Sequence, residues 1–147
     1  MKSTAQYKKI MKRILLIATG GTIACKQTAS GLAPQLGAKE LLSYVRDRAE
    51  NVESIELFRM DSSNVQPEEW RAIAQAVADN MHNADGIVIT HGTDTMAYTS
   101  SMLSFMLKGI KIPVVLTGAQ YPMGMEGSDA ARNLGDALTA ARELPAG

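Results

Sequence analysis

Four short apolar runs punctuate the chain, and small polar residues follow each one at once. The first is Ile14-Leu15-Leu16-Ile17-Ala18, and the third is Ile87-Val88-Ile89. The fourth, Ile112–Leu116, holds Pro113 near its start, where a strand tolerates it. Short β-branched runs bounded by turn residues predict buried parallel strands. The second run, Glu53–Met60, alternates Ile55 and Leu57 with Glu56 and Arg59, which predicts a strand with one less buried face. Between the runs, apolar residues recur at helical spacing. They are Leu41, Leu42 and Val45 from Ala38 onward, then Trp70, Ile73, Ala74, Val77, Ala78 and Met81. Next come Met96, Leu103, Met106 and Leu107, with Gly109 as a stop, and finally Leu134, Ala137, Leu138 and Ala141. Pro67 suits a first helical position, with Glu68 and Glu69 near the positive end of the dipole. Thr93 or Asp94 is expected to cap the third helix, and Ser128 or Asp129 the fourth. The β-α-β-α-β-α-β-α order predicts an α/β fold: a doubly wound, mostly parallel sheet in a three-layer αβα sandwich.

Composition narrows the partners. The 147 residues suffice for one core, and formal net charge is zero with the basic residues scattered. Neither nucleic acid nor an acidic membrane surface is expected to bind. A single cysteine, Cys25, excludes an internal disulfide and suits a reducing compartment. Together with only two histidines, His82 and His91, it argues against a metal site. Residues 1–13 are polar, basic and aperiodic, and read as a disordered lead-in before a domain spanning 14–147. Lys8, Lys9, Lys12 and Arg13 before an apolar run resemble a signal peptide, but five apolar residues are too few. No segment approaches the roughly 20 apolar residues of a membrane span.

Each predicted strand ends in a polar cluster: Thr19/Thr22, Asp61/Ser62/Ser63, Thr93/Asp94 and Thr117/Gln120. In an open parallel sheet these ends share one edge, outside which ligands bind. Thr90 and Thr95 belong to the same stretch. No Gly-rich loop ends in Lys-Ser or Lys-Thr, so a P-loop is excluded, and Gly20-Gly21 lacks the dinucleotide spacing. A hydroxyl-rich mononucleotide site stays open. Nucleophilic catalysis fits the pieces better. Thr22 on a glycine turn presents a hydroxyl, and backbone N–H groups of that turn could hold an oxyanion. Asp94 could orient a base or bind an ammonium. His91 reads as support for its turn, Trp70 as a packing anchor, and Met96, Met102 and Met106 as core filler. Lys26–Gly37, rich in Gly, Ser, Thr and Gln, reads as a mobile loop.

Ala18-Thr19-Gly20-Gly21-Thr22-Ile23-Ala24 and Ile89-Thr90-His91-Gly92-Thr93-Asp94-Thr95-Met96 resemble the two signature segments of bacterial-type L-asparaginases. Asp61-Ser62-Ser63-Asn64 and Leu116-Thr117-Gly118-Ala119-Gln120 are similar to that family too, in the same order, and the likeness is closer to the cytoplasmic type I enzymes. The resemblance implies a flavodoxin-like N-terminal domain and hydrolysis of asparagine to aspartate and ammonia without metal or cofactor. It implies Thr22 as nucleophile, with Thr93 as a second catalytic threonine paired with Asp94. It further implies that Ser62, Ser63 and Asp94 hold the substrate's α-carboxylate and α-ammonium. The Ala119 carbonyl would receive the amide nitrogen, and the Gly21 and Gly92 turns would shape the pocket. A homo-oligomer in the cytoplasm follows from the same likeness.

The chain departs from the family pattern in three places. Leu32, in Gly31-Leu32-Ala33-Pro34, stands where many members carry a tyrosine that helps activate the first threonine. The lysine that completes the second triad and the smaller C-terminal domain are expected beyond these residues. The site is therefore expected to be incomplete, and an apolar sheet edge to be left open. A non-catalytic amino-acid-binding or interaction domain is the alternative. An asparaginase-like component of a tRNA-dependent amidotransferase is a near variant that would need an extra N-terminal module.

Overall fold

The computed structural model describes residues 11–146. Most of the expected lead-in, residues 1–10, lies outside them. Residues 11–13 are exposed, and the Arg13 amide donates to an Asp85 carboxylate oxygen at 2.7 Å.

Four strands form one parallel sheet: β1 (Ile14–Gly20), β4 (Val52–Met60), β5 (Gly86–Thr90) and β6 (Val114–Thr117). Their order is β4-β1-β5-β6, with β1 paired to both β4 and β5. Alternation along β1 sends Leu15 and Ile17 to one face and Ile14, Leu16 and Ala18 to the other. The first set packs on α2 (Pro67–Asn80) and α3 (Met96–Met106) through Ile73, Val77 and Leu103. The second packs on α1 (Ala38–Ser43) and α4 (Ala130–Glu143) through Leu41, Leu134 and Leu138. The result is the expected three-layer αβα sandwich. Complete burial of Ile14, Leu16, Ile17, Ile87 and Ile89 stabilises it by about 1.5–3 kcal/mol per side chain. The alternating pattern predicted one less buried face for β4; no residue of β4 is in fact fully buried, because β4 is an edge strand.

Several details differ from the sequence reading. Residues 26–37 are not a plain loop. β2 (Cys25–Thr28) and β3 (Gly31–Pro34) make an antiparallel hairpin, with Cys25 opposite Pro34. Its four-residue strands carry Lys, Gln, Gly and Pro, which masks them from a hydrophobicity pattern. The buried face of α2 uses Ala76 rather than Ala78. Met102 and Met106 are exposed, so they are not core filler. Neither Thr93 nor Asp94 caps α3; Thr95 holds the N-cap position without a side-chain capping bond. At α4, Asp129 is the N-cap residue, yet its carboxylate accepts from the Gln120 and Tyr121 amides instead. Ser128 Oγ takes the Ala130 amide.

Among the described residues, β6 has a neighbour on one side only. A groove of about 500 Å³ runs beside it, lined by Leu103, Leu107, Ile110, Ile112 and Val114. Tyr98 and Phe105 on α3 stand 65% and 77% exposed, and an open edge next to apolar surface favours association. The isolated chain is expected to self-associate with rising concentration in sedimentation velocity; a monodisperse monomer throughout would contradict this.

Candidate active site

The strand order reverses between β1 and β5, because the chain leaves β1 toward β4 and returns across it to β5. The turns after these two strands therefore meet at a topological switch point, where open α/β sheets bind ligands. They meet closely. A Cβ on Gly21 would collide with the backbone of Gly92, and one on Gly92 would collide with the Ser62 side chain. Gly21 also has φ +77°, a conformation open to glycine and costly for other residues. Three turns from distant parts of the chain thus nest in close contact. Thr95 Oγ1 donates to the Ser62 carbonyl at 2.8 Å and ties the β5 turn to the β4 turn. Thr19 Oγ1 donates to the Thr90 carbonyl at 2.7 Å and ties β1 to β5.

A cleft of about 40 Å³ opens where the turns nest. Gly21, Thr22, Cys25, Pro34, Asp61, Ser62, Gly92, Thr93 and Asp94 line it. Of the eight residues to which the family resemblance gives a role, six share this cleft: Gly21, Thr22, Ser62, Gly92, Thr93 and Asp94. Two stand apart from its lining. The Ser63 hydroxyl donates to Asp61 Oδ1 at 2.8 Å, and Ala119 is buried in the core cluster that also holds Ile23 and Met123. Thr90 is fully buried, with its Oγ1 unpartnered among the described residues. The fourth strand end supports the site from outside. A Cβ on Gly118 would collide with the His91 carbonyl, and Asn133 Nδ2 donates to the Gly118 carbonyl at 3.0 Å. Exposed Leu32 lies in the hairpin, outside the cleft lining.

Cys25, Pro34 and Asp61 complete the lining. Asp61 was visible in the sequence as part of its cluster. Cys25 follows Thr22 by one 3₁₀ turn, and Pro34 faces Cys25 across the hairpin, a pairing that no periodicity announces. The Asp61 carboxylate accepts from the backbone amide and hydroxyl of Ser63, and these bonds hold its pKa below the ordinary aspartate value. Burial pushes the Cys25 thiol pKa up, with Asp61 adding to the shift, which disfavours the thiolate. The larger groove beside β6 is mainly apolar, with Lys108 as its one ionisable residue. It holds no acid–base pair for catalysis. Among the described residues no group of three His, Cys, Asp or Glu side chains could hold a metal ion, and no helix is long and apolar enough to cross a membrane.

His91 lies beneath the cleft, 1% exposed, and burial lowers its pKa. The folded chain therefore resists a proton that the unfolded chain accepts below about pH 6.5. Stability is full above that value and falls as the pH drops. Denaturant titrations between about pH 7 and 5 are expected to show this slope, and His91→Asn to reduce it; an unchanged slope would remove His91 as its source.

A parallel sheet with nested glycine turns and hydroxyls converging at its switch point defines an open α/β protein with a hydroxyl-rich site. The family model described as "Asparaginase, N-terminal" matches residues 13–146. The chain belongs to the asparaginase family, as an N-terminal domain. It is 47% identical over 134 residues to an L-asparaginase of Thermococcus kodakarensis, covering 89% of this chain and 41% of the relative. The structure of the thermostable L-asparaginase from that organism superposes with a TM-score of 0.84, covering 92% of this chain and 42% of that one. L-asparaginase 1 of Escherichia coli K12 is 38% identical over 140 residues, covering 91% of this chain and 41% of its own length. A glutamyl-tRNA(Gln) amidotransferase component of Methanopyrus kandleri is 36% identical over 141 residues, covering 91% of this chain and 31% of its own length. The chain spans about two fifths of the length of the asparaginases it matches.

Proposed function

We propose that this chain carries the nucleophile side of an amidohydrolase site that converts L-asparagine to L-aspartate and ammonia. Thr22 Oγ attacks the side-chain amide carbon. The C–N bond breaks, the hydroxyl proton leaves with ammonia by way of a base, and water releases aspartate from the acyl-threonine. Thr93 with Asp94 assists that proton transfer. Ser62 and Ser63 hold the α-carboxylate and, with Asp94, the α-ammonium; the Ser63 hydroxyl donates to Asp61 and keeps its lone pairs for an ammonium donor. The Ala119 carbonyl receives the amide nitrogen, and the Gly21 and Gly92 turns set the pocket wall. The reaction uses neither metal nor cofactor. The single observation that supports this reading is the convergence of Thr22, Ser62, Thr93 and Asp94 on one cleft at the switch point.

The cleft, about 40 Å³, is far smaller than the roughly 300 Å³ or more of a whole small-molecule pocket, so it seats part of a substrate rather than a whole amino acid. The rest of the wall, including the lysine of the second triad, belongs to sequence of the kind that the longer relatives carry. The complete enzyme is a homo-oligomer of the cytoplasm on this reading, in keeping with a buried, free Cys25. The test is ammonia release from L-asparagine and L-glutamine, by this chain alone and joined to the remainder of the Thermococcus kodakarensis L-asparaginase. Release by the joined protein supports hydrolysis. Binding of L-asparagine by both forms, with no ammonia from either, selects a non-catalytic amino-acid-binding domain.

A further inference from the structure

Behind the Gly92 turn runs a line of three hydrogen bonds to which hydrolysis assigns no role. Trp70 Nε1 donates to Thr99 Oγ1 at 3.0 Å, Thr99 Oγ1 lies 2.9 Å from His91 Nε2, and His91 Nδ1 lies 2.8 Å from the Gly92 carbonyl. The chemistry of the groups sets the direction of every bond. A carbonyl only accepts, so Nδ1 carries the proton. The buried imidazole is neutral, so Nε2 accepts, and the one Thr99 hydroxyl proton goes to it. The indole N–H then fills a Thr99 lone pair. Thr99 and His91 are 0% and 1% exposed, so water does not compete for these groups.

The line draws on α2, α3 and the end of β5, and terminates on one backbone carbonyl. That carbonyl belongs to the Gly92–Thr93 peptide, which enters the cleft. No cis peptide is present among the described residues, so the Thr93 N–H points opposite to the held carbonyl, away from the buried ring. Rotation of this peptide would also swing the Thr93 side chain that follows it. We propose that Trp70, Thr99 and His91 are positioning residues, which hold the Gly92–Thr93 peptide so that Thr93 faces the reacting amide. The proposal rests on the amide-hydrolysis reading of the cleft. His91 acts here through its tautomer and not as an acid or base.

The test removes one bond at a time with isosteric changes. Thr99→Val deletes the hydroxyl and keeps the shape, Thr99→Ser restores the hydroxyl, and Trp70→Phe deletes the indole donor. Nitrogen NMR of the full chain reads the His91 tautomer and the Thr93 amide, with circular dichroism showing that each variant is folded at the temperature used. The Nδ1–H tautomer is expected in the unsubstituted chain and in Thr99→Ser. A mixture of tautomers with a displaced Thr93 amide is expected in Thr99→Val. In the joined protein, Thr99→Val lowers kcat about tenfold with little change in KM, and Thr99→Ser recovers most of the loss. An Nε2–H tautomer in the unsubstituted chain overturns the proposal, as does a Thr93 amide that Thr99→Val leaves in place, or an unchanged kcat. If the unsubstituted joined protein releases no ammonia, the hydrolysis reading fails, while the NMR still decides whether the line holds the Thr93 peptide.

Discussion

Replacing Gly21 with alanine is expected to lower the unfolding free energy by about 3 kcal/mol, against about 1 kcal/mol for the same change at Gly109. Both glycines have positive φ, +77° and +83°, so both substitutions meet the left-handed penalty. Only Gly21 adds a collision. Its Cβ would drive into the Gly92 backbone, and neither partner is the movable end of a side chain. At Gly109 nothing lies within 4 Å of the added carbon. The difference between the two variants therefore isolates the nesting of the turns from conformational strain. Urea or thermal unfolding of both variants measures it. Equal losses would mean that the turns are not pressed together as described.

Thr22→Ala is expected to lower kcat for asparagine in the joined protein by about 10⁴-fold or more, the scale on which loss of a nucleophile is felt. Thr22→Ser retains a hydroxyl and should keep part of the activity. The expectation follows from where Thr22 sits. The Gly20-Gly21 bend carries it off the end of β1 into a short 3₁₀ turn, with its side chain at the cleft and Ile23 and Ala24 buried behind it. The flanking burial makes Thr22 the residue of this turn that a substrate can reach. Ammonia release measured beside the unsubstituted protein decides the matter. Activity within a few fold of the unsubstituted protein would remove Thr22 as nucleophile.

The layer architecture was legible because each strand of the parallel sheet is a short apolar or alternating run and each helix a 3.6-residue pattern, and these two periods rarely imitate one another. Ile87-Val88-Ile89 needed nothing further. The hairpin escaped for the opposite reason. Its four-residue strands are too short and too polar for a periodic signal, and cross-strand pairing holds them together. The exposure of Met102 and Met106 was equally hidden. α3 carries no charged residue from Met96 to Met106, so composition does not say which side faces the sheet. The expected cap of α3 failed, and at α4 the Asp129 carboxylate left the capping bond to Ser128 Oγ, where tertiary partners outcompeted the local helix end. Asp129 turns to the 120–121 amides, and Thr95 binds the Ser62 carbonyl instead of its own helix.

By itself the sequence determined the order of elements, the parallel sheet, and the placing of a hydroxyl, acid or amide cluster at each strand's end. These follow from periodicity and from the permissive backbone of glycine, both of which are local. The tertiary structure alone decided which clusters share a cleft, that Ser63 and Ala119 stand off its lining, and that His91 faces Thr99 and the Gly92 carbonyl. Those outcomes depend on strand order and on groups many residues apart competing for the same partner. No local pattern contains that competition, because its energy arises only when the sheet brings the turns together.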